Sequence, residues 1–293
     1  MIYTIKNDKI EVSVEDLGAQ MRSIKDAEGK EYLWQGDEKY WNGSAPNLFP
    51  YIARLTEGKY TLRGKTYEMP KHGFLRNSVL KLKEKTQTKM VFSLTDSEET
   101  YKMYPYHFEI KVKYELFENE FKVSYCVSNK DKKVMCFGVG GHPGFQVPIE
   151  QDLSFEDYFI EFAQGTDIKR VGMSEDCFVT GDEEAFPLEE NQRLSLRHNL
   201  FDNDAIILKD APSRVALTSE KGGARIEMET SHLGYLGIWH KPASDAPYVC
   251  IEPWSSLPSG KDIVEDLETQ KNLISLEEGR HYENRWSITI TDK

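Results

Sequence analysis

Hydrophobic and polar positions alternate along most of this chain with a period of two, which is typical of β-strands with one buried face. In "KIEVSVEDLG", the apolar residues Ile10, Val12 and Val14 alternate with polar ones. The longest example is "HFEIKVKYELFENEFKVSYCVSN", where the alternating runs 108–116 and 121–127 are joined by the polar "ENE". Two such runs with a short polar connection predict an antiparallel hairpin.

Short alternating runs recur along the chain, separated by Gly, Pro, Asn, Asp or charged turns. They read "MVFSLT", "VMCFGVG", "DAIILK", "RVALTS", "RIEMET", "YLGIWH", "YVCIEPW" and "RWSITIT". The best helical candidate is short and lies around "SGKDIVEDLETQ". Many short strands with turns between them favour a sandwich or barrel over alternating βαβ units. We therefore expect an all-β fold with few short helices, built as one domain over residues 1–293.

The composition permits a large packed core, since 39% of the 293 residues are hydrophobic and 12% are aromatic. The formal net charge of −12 argues against nucleic-acid binding, because a surface that follows phosphates needs a basic face. No apolar run approaches the length of a membrane span. The opening "MIYTIKNDKIEV" lacks a basic-then-apolar leader, so we expect a cytoplasmic protein with no membrane partner.

The four cysteines, Cys126, Cys136, Cys177 and Cys250, are far apart and form no CxxC pair. Three of them lie in apolar, strand-like runs, which favours reduced, buried thiols over disulfides or a zinc site. The sequence has no Walker loop, no HExxH, no GxSxG and no GxGxxG that opens a helix. We therefore expect neither a metal nor a nucleotide cofactor.

Two of the seven histidines occupy unusual local sequences. His72 lies in "MPKHGFLRN" and His142 in "GGHPGF", each followed within two residues by glycine. Glycine permits a close approach of backbone or ligand, and Pro143 favours an extended conformation for His142. Imidazole titrates near neutral pH, so both are candidates for proton transfer, with a hydrogen-bonded turn histidine as the alternative. We expect His232 and His240, which flank "SHLGYLGIWHK", at a rim.

Two charged residues interrupt apolar runs. Glu252, in "YVCIEPWSSLPSG", follows a strand-like run and precedes a proline, so it is held extended on one face of that strand. A carboxylate on an apolar face needs hydrogen-bond or charge partners, or else its pKa rises. A raised pKa suits a general base, so Glu252 is a candidate for that role. The alternative role for Glu252 is a structural ion pair with an arginine. Arg54, in "FPYIARLTEGKY", binds either substrate oxygens or an acidic partner.

The ordered set of motifs resembles the aldose 1-epimerase (galactose mutarotase) superfamily, and most of all its LacX-like branch. The resemblance covers nearly the whole chain and rests on these segments: "GAQMRSIKDAEGKEYLWQG", "FPYIARLTEGKYTLRGKTYEMPKHGFLRN", "GGHPGF", "FDNDAIILKD" and "IEPWSSLPSG". It implies a large antiparallel β-supersandwich with a shallow groove for a sugar. It also implies isomerase activity toward a hexose without a cofactor.

The resemblance assigns roles to individual residues. Glu252 matches the general base that takes the proton of the anomeric hydroxyl, and His142 matches the general acid that protonates the ring oxygen. His72 and Arg54 match residues that hydrogen-bond sugar oxygens. The substrate-binding aspartate falls on Asp202, Asn203 or Asp204, and we favour Asp204. Further candidates for contact with the sugar are Gln146, for a hydroxyl group, and Trp34, Trp239 and Trp254, for stacking.

Other functions stay open on the sequence alone. "HGF" followed by Arg76 lacks the second glycine usual in galactose mutarotases and is similar to hexose-6-phosphate epimerases, in which arginines hold a phosphate. Arg54 and Arg76 could bind a phosphate bidentately, although the net charge of −12 mildly disfavours a phosphorylated substrate. A non-catalytic carbohydrate-binding protein on the same fold is a further alternative. A monomer and a homodimer are both compatible with the sequence.

Overall fold

The computed structural model describes residues 1–163, 167–230 and 233–292. Its secondary structure consists mainly of β-strands, as the period-two pattern predicts. The strands are β1 Ile2–Lys6, β2 Ile10–Glu15, β3 Met21–Asp26, β4 Asn47–Leu48, β5 Lys59–Leu62, β6 Lys65–Glu68, β7 Lys81–Lys85, β8 Lys89–Thr95, β9 Phe108–Phe117, β10 Glu120–Asn129, β11 Met135–Phe137, β12 Gly140–Gly141, β13 Gly144–Gln146, β14 Tyr158–Phe162, β15 Lys169–Met173, β16 Val179–Ala185, β17 Arg193–Ser195, β18 Ile206–Lys209, β19 Arg214–Ser219, β20 Ala224–Glu229, β21 Tyr235–Trp239, β22 Tyr248–Trp254, β23 Ile274–Leu276 and β24 His281–Asp292.

Two large antiparallel sheets carry the architecture of the described chain. The nine-stranded sheet has the order β17-β14-β19-β20-β24-β10-β9-β8-β7. The eight-stranded sheet has the order β16-β15-β18-β21-β22-β12-β4, and β13 also pairs with β22. Smaller sheets consist of β1-β2-β3, β5-β6 and β11-β23. The predicted all-β fold is confirmed.

The predicted hairpin is the pair β9 and β10 in the nine-stranded sheet. The two strands pair antiparallel from Phe117 opposite Glu120 to Phe108 opposite Asn129. In β9 buried and partly exposed side chains alternate from Phe108 to Leu116, which is the register that the sequence pattern predicts. The apolar face of this hairpin therefore lies in the core and its polar face meets solvent.

The alternation of β22 decides which of its side chains enter the core. Val249 and Ile251 belong to the main hydrophobic core, together with side chains of the nine-stranded sheet such as Trp286. Cys250 belongs to a separate cluster, and Glu252 has the same parity along the strand as Cys250. Glu252 therefore emerges on the face of the eight-stranded sheet that points away from the main core.

The helices are short, as predicted, but they lie elsewhere. The α-helix is Glu98–Met103, capped by Ser97, and 3-10 turns occupy Thr56–Gly58, Leu75–Asn77, Phe155–Asp157 and His198–Phe201. The predicted helix around "SGKDIVEDLETQ" is wrong, because the backbone of this segment forms hydrogen bonds with Thr61, which is distant in the sequence. Thr61 N–H donates to Glu265 O over 2.8 Å, and Leu267 N–H donates to Thr61 O over 2.9 Å. In the described residues, no helix is long and apolar enough to cross a membrane.

A buried asparagine connects the two large sheets. Asn47, in β4, has a 2% exposed side chain whose Nδ2 lies 3.0 Å from Gly18 O, 2.9 Å from Ala19 O and 2.9 Å from Tyr114 Oη. Its Oδ1 accepts a hydrogen bond of 2.9 Å from Tyr125 Oη in β10. Because buried polar groups stabilise a fold only when they are satisfied, this amide fixes β4 against the opposite sheet.

We expect Asn47→Leu to lower the free energy of unfolding by about 2–4 kcal/mol, because the substitution leaves two tyrosine hydroxyls and two carbonyls without this partner. Urea unfolding followed by tryptophan fluorescence measures the change. Asn77→Leu, at an exposed position, is the matched control and should change stability by less than about 0.5 kcal/mol. Equal losses in the two variants would contradict the role of Asn47.

Candidate active site

A cleft that opens to solvent lies on the outer face of the eight-stranded sheet. Its base consists of strand residues such as Ile207 in β18 and Glu252 in β22, and connecting segments form its sides. The lining residues are Trp41, Ala53, Arg54, Lys71, His72, Arg76, His142, Met173, Cys177, Asn203, Asp204, Ala205, Ile207, Trp239, Glu252, Trp254 and Pro258.

Two titratable side chains meet in this cleft. His142 Nε2 lies 3.1 Å from Glu252 Oε2, although the residues are 110 positions apart in the sequence. The two residues are only 8% and 1% exposed. His142 Nδ1 and Glu252 Oε2 make no hydrogen bond with the described residues. Buried polar atoms normally have partners, so these atoms are available for a bound molecule.

Burial shifts the two pKa values in opposite directions. It raises the pKa of Glu252 well above its ordinary value near 4.5, and the charge of Lys71 only partly opposes this shift. It lowers the pKa of His142 to about 3, helped by the charges of Lys71 and Arg76. Burial therefore favours the uncharged form of each residue, in which the shared proton lies on Glu252. Neighbouring groups with strongly perturbed pKa values are typical of acid/base sites.

The segment around His72 is shaped by a close backbone crossing. His72 and Gly73 both have positive φ, +67° and +70°. A Cβ on residue 73 would lie 2.2 Å from Phe49 O, so only glycine fits there. His72 Nδ1 accepts a hydrogen bond of 3.1 Å from Ala53 N–H, and burial lowers the pKa of His72 well below its ordinary range. The neutral ring therefore carries its proton on Nε2 and offers this N–H to a ligand.

The turn that presents His142 is seated on the opposite sheet. A Cβ on Gly141 would lie 2.8 Å from the ring of Trp286 and 3.1 Å from Tyr125 Oη, so glycine is needed for this approach. The backbone N–H of His142 donates to Pro46 O over 3.0 Å. The histidine thus projects from a short β-connection whose position is set by packing and by a backbone hydrogen bond.

The structure distinguishes among the three candidates for the acidic residue. Asn203 and Asp204 line the cleft, and Asp202 is not among the lining residues. Asp204 Oδ1 accepts from Ala205 N–H at 2.9 Å, and its Oδ2 accepts from Cys177 Sγ at 3.1 Å. Asp204 therefore places in the cleft a carboxylate whose position is fixed by two hydrogen bonds. Asp204 is also the candidate that we favour in the sequence analysis.

Both predicted arginines also line the cleft. Arg54 Nη1 donates a long hydrogen bond of 3.4 Å to the carbonyl of Asp176, and Arg76 is half-buried in the turn Leu75–Asn77. The ion pairs of the described chain do not include Arg54, so the alternative of an acidic side-chain partner for it is wrong within the described residues. Lys71, directly before His72, is a third cation of the lining.

Aromatic rings form one wall of the cleft. Trp239 and Trp254 line it, as predicted for stacking residues, whereas Trp34 is not among the lining residues. The Trp34 Nε1 donates to the Trp41 carbonyl over 2.8 Å. Trp41 itself lines the cleft, with its ring 5.0 Å from that of His142. The rings give the cleft an apolar surface beside its polar groups.

The structure places two further histidines and one glutamine as follows. Gln146 is not among the residues that line the cleft, and its Nε2 donates to Leu33 O over 3.1 Å; its contact with a sugar stays a prediction. His240 is fully buried rather than at a rim, and its Nδ1 bonds to the Lys241 carbonyl over 2.7 Å. His232 lies outside the described residues.

Sequence reasoning missed Lys71, Trp41 and Cys177 as cleft residues. Lys71 stands inside "MPKHGFLRN", so its position next to His72 was a usable signal. Trp41 and Cys177 lie in connecting segments without alternation, and nothing in the local pattern indicates that these segments border the cleft. Tertiary packing alone brings them there.

One group of described residues could hold a metal ion. His142, Cys250 and Glu252 bring a ring nitrogen, a thiol sulfur and a carboxylate oxygen within 4.8 Å of one another. Burial raises the pKa of the Cys250 thiol well above its usual range. Since a metal binds the thiolate, this shift disfavours Cys250 as a ligand, and the group suits proton transfer better.

The profile of the aldose 1-epimerase family matches residues 1–289 of this chain. The chain belongs to the aldose 1-epimerase family. It is 32% identical over 301 aligned residues to the chromosomal protein LacX of Lactococcus lactis subsp. lactis, and the match covers 99% of each chain. The predicted family resemblance and its LacX-like branch are thereby confirmed.

Solved structures support the same conclusion for this aldose 1-epimerase family member. A galactose mutarotase related enzyme from Lactobacillus acidophilus is 33% identical with a TM-score of 0.95, covering 100% of both chains. A galactose mutarotase-like protein from Lactobacillus casei ATCC 334 is 31% identical with a TM-score of 0.94, covering 99% of this chain and 100% of its own. The predicted galactose mutarotase-like supersandwich is confirmed, and family membership implies an isomerase that acts on a sugar.

We expect the difference in the free energy of unfolding between the Glu252→Gln variant and the wild type to increase in favour of the variant as pH rises from about 5 to about 8. The unfolded chain loses the Glu252 proton above its ordinary pKa near 4.5, whereas burial in the folded protein holds this proton to higher pH. The native state then binds more protons, so the wild type loses stability with rising pH in this window and the glutamine variant does not.

Urea unfolding of both proteins across this pH range measures the difference in the free energy of unfolding. Glu278→Gln, at an exposed position, is the control and should show a difference that does not depend on pH. A difference for Glu252→Gln that stays constant or shrinks as pH rises would contradict the raised pKa.

Proposed function

We propose that this protein interconverts the α and β anomers of an aldohexose by opening and reclosing the sugar ring. The observation that carries the proposal is the buried pair of His142 Nε2 and Glu252 Oε2, 3.1 Å apart. Ring opening removes a proton from the anomeric hydroxyl and delivers one to the ring oxygen, and both oxygens are bonded to C1. Two titratable groups this close together can remove the proton from one of these oxygens and deliver a proton to the other.

In the proposed reaction Glu252 acts as the base and His142 as the acid. The pair shares one proton, which burial keeps on Glu252, so this proton first moves to His142. For this step Glu252 Oε2 and His142 Nε2, which lie 3.1 Å apart, align into a hydrogen bond. When the anomeric hydroxyl of the sugar donates a hydrogen bond to Glu252, it stabilises the carboxylate form of Glu252. Binding of the sugar therefore favours transfer of the proton from Glu252 to His142. Glu252 then takes the hydroxyl proton while His142 protonates the ring oxygen and the C1–O bond to it breaks.

The open-chain aldehyde rotates about its C1–C2 bond before the ring closes. In the closing step Glu252 returns a proton to the former carbonyl oxygen, and His142 removes the proton from the hydroxyl that attacks C1. Ring closure leaves Glu252 as the carboxylate and His142 as the imidazolium. One proton then returns from His142 to Glu252, so protons and charge balance over the cycle and the pair ends in its starting form. The low exposure of both residues limits water, which strengthens their electrostatic interaction with the sugar.

Other cleft residues are proposed to hold the sugar. The Nε2–H of His72 and the guanidinium of Arg54 donate to sugar oxygens, and the Asp204 carboxylate accepts from hydroxyl groups. Trp239 and Trp254 offer ring faces to the apolar face of a pyranose. This combination of fixed donors, one held carboxylate and aromatic surface supports a sugar ligand.

We expect Glu252→Gln and His142→Asn each to slow enzymatic mutarotation by about 10²–10⁴-fold, because each removes one proton-transfer group. Polarimetry of freshly dissolved α-D-glucose and α-D-galactose measures the approach to anomeric equilibrium. Circular dichroism and urea unfolding verify that the variants fold.

Glu278→Gln and His281→Asn change the same residue types at exposed positions and should leave the rate unaltered. If the wild type binds these sugars but never accelerates mutarotation, the protein is a carbohydrate-binding module and the proposed enzyme activity fails.

A further inference from the structure

The indole of Trp254 brings to the cleft a buried N–H group that has no hydrogen-bond partner within the described residues. The residue is 3% exposed, and Nε1 makes no hydrogen bond there. By contrast, Trp34 Nε1 donates to the Trp41 carbonyl over 2.8 Å, and Trp286 Nε1 donates to Tyr125 Oη over 3.1 Å. Leaving a buried donor unpaired costs free energy, so such donors normally have acceptors. Trp254 therefore offers a donor that is free to act on a group formed during the reaction.

Trp254 and Glu252 lie on the same face of β22, because they are two positions apart in the strand. Each of them is opposite a glycine of a neighbouring strand. Gly237 of β21 pairs with Glu252, and Gly140 of β12 pairs with Trp254. Because glycine has no side chain, the face of the sheet is open beside both residues, and the indole has room to cover it.

The N–H edge of the indole extends across β22 from one glycine toward the other. A Cβ on Gly140 would lie 3.1 Å from Trp254 Cδ1, and a Cβ on Gly237 would lie 3.5 Å from Trp254 Cε2. Cδ1 and Cε2 are the ring atoms bonded to Nε1. The same Cβ on Gly237 would lie 3.2 Å from Glu252 Cβ. The N–H edge of Trp254 and the side chain of Glu252 therefore meet above Gly237.

The other neighbours of the ring leave Glu252 as the acceptor for this N–H group. The indole belongs to a buried apolar cluster with Leu48, Ile52, Val171, Ile207 and Leu257, whose side chains offer no acceptor. Burial raises the pKa of Glu252, the charge of Lys71 lowers it, the charge of Asp204 raises it, and the N–H group of Trp254 lowers it. A donor lowers the pKa of a carboxyl group because it stabilises the ionised form.

We propose that Trp254 is a positioning residue of the proton-transfer pair, and that its Nε1–H donates to the Glu252 carboxylate once Glu252 has passed its proton to His142. The inference rests on the proposed mutarotase function. A carboxylate accepts a stronger, charge-assisted hydrogen bond than a protonated carboxyl group does. The indole N–H therefore stabilises the form of Glu252 that takes the sugar proton more than it stabilises the resting form, which raises kcat.

NMR of protein with isotope-labelled indole nitrogens tests this hydrogen bond directly. The Trp254 signal is identified by its absence from Trp254→Phe. In the wild type we expect it to move with pH over the range in which infrared spectroscopy shows Glu252 to lose its proton, and to stay in place in Glu252→Gln. The Trp34 signal is the internal control, because this indole donates to a backbone carbonyl. A Trp254 signal that stays in place while Glu252 ionises would overturn the proposal.

Trp254→Phe keeps an aromatic ring and removes the N–H group. We expect it to lower kcat for mutarotation about 10- to 100-fold, the effect of losing one hydrogen bond to a charged group. KM should change by less than about 3-fold, because the ring face that the sugar contacts is kept. The pH at which Glu252 ionises should rise by about one to two units, which a merely structural role would not produce.

A higher KM with an unchanged kcat in Trp254→Phe would overturn the proposal and assign the N–H group to binding of the sugar. If Trp254→Phe fails to fold, benzothienylalanine at this position gives the same comparison, because sulfur replaces the N–H group and the shape of the ring is kept. We expect the same loss of kcat from this replacement.

Gly237→Ala and Gly234→Ala are a matched pair at the start of one strand. Gly237 is not among the cleft-lining residues, but alanine there would crowd Glu252 and the indole, so we expect kcat to fall about 10-fold with little change in KM. Gly234 is exposed, and a Cβ there would meet no atom within 4 Å, so Gly234→Ala should keep the wild-type kcat. In a Trp254→Phe background, Gly237→Ala should lose most of its effect. A full effect in that background would show that Gly237 acts on Glu252 without the indole.

The outcomes separate the positioning role from the proposed function. If the wild type turns over no sugar, the mutarotase function fails, and the indole signal still decides whether Trp254 binds the Glu252 carboxylate. If the wild type is active and Trp254→Phe retains both kcat and the ionisation pH of Glu252, the mutarotase function stands and the role of Trp254 is overturned.

Discussion

The side-chain amide of Asn47 is the contact on which the geometry of the cleft depends. It binds two tyrosine hydroxyls of the nine-stranded sheet and two carbonyls of the Gly18–Ala19 turn, while its backbone lies opposite Gly141 in the eight-stranded sheet. His142 follows Gly141 directly. The position of the proposed acid is therefore set by a hydrogen-bond network inside the core, where apolar packing alone would allow sliding.

Burying titratable groups without a partner of opposite charge costs free energy, and this cost is concentrated in the cleft. Glu252 is buried without an arginine partner, and the half-buried Arg76 has no carboxylate at ion-pair distance within the described residues. Most other ion pairs of the described chain lie at the surface, where water screens them. A site that is destabilising when empty and is compensated by its ligand is a recurrent feature of functional clefts.

The fold could be predicted well from the sequence because one strand face is buried and the other is not. The alternation in β9 and β10 specifies strand, register and buried face together. The helix predicted near residue 265 failed because bonds to Thr61 compete with local hydrogen bonding. Glu252, His142 and His72 could be selected from local motifs, and Asp204 only from the family resemblance. The 3.1 Å contact between His142 and Glu252 and the positions of Lys71 and Trp41 beside it depend on packing between distant segments.

The strand order of the nine-stranded sheet has a consequence for the assembly of the molecule during synthesis. β24, the last strand described, lies between β20 and β10 and is the link between two four-stranded halves of this sheet. Its Trp286 is also the surface on which Gly141 rests. A nascent chain that has already produced Glu252 and His142 therefore still lacks the support that sets their separation, and the site matures only when the final strand inserts.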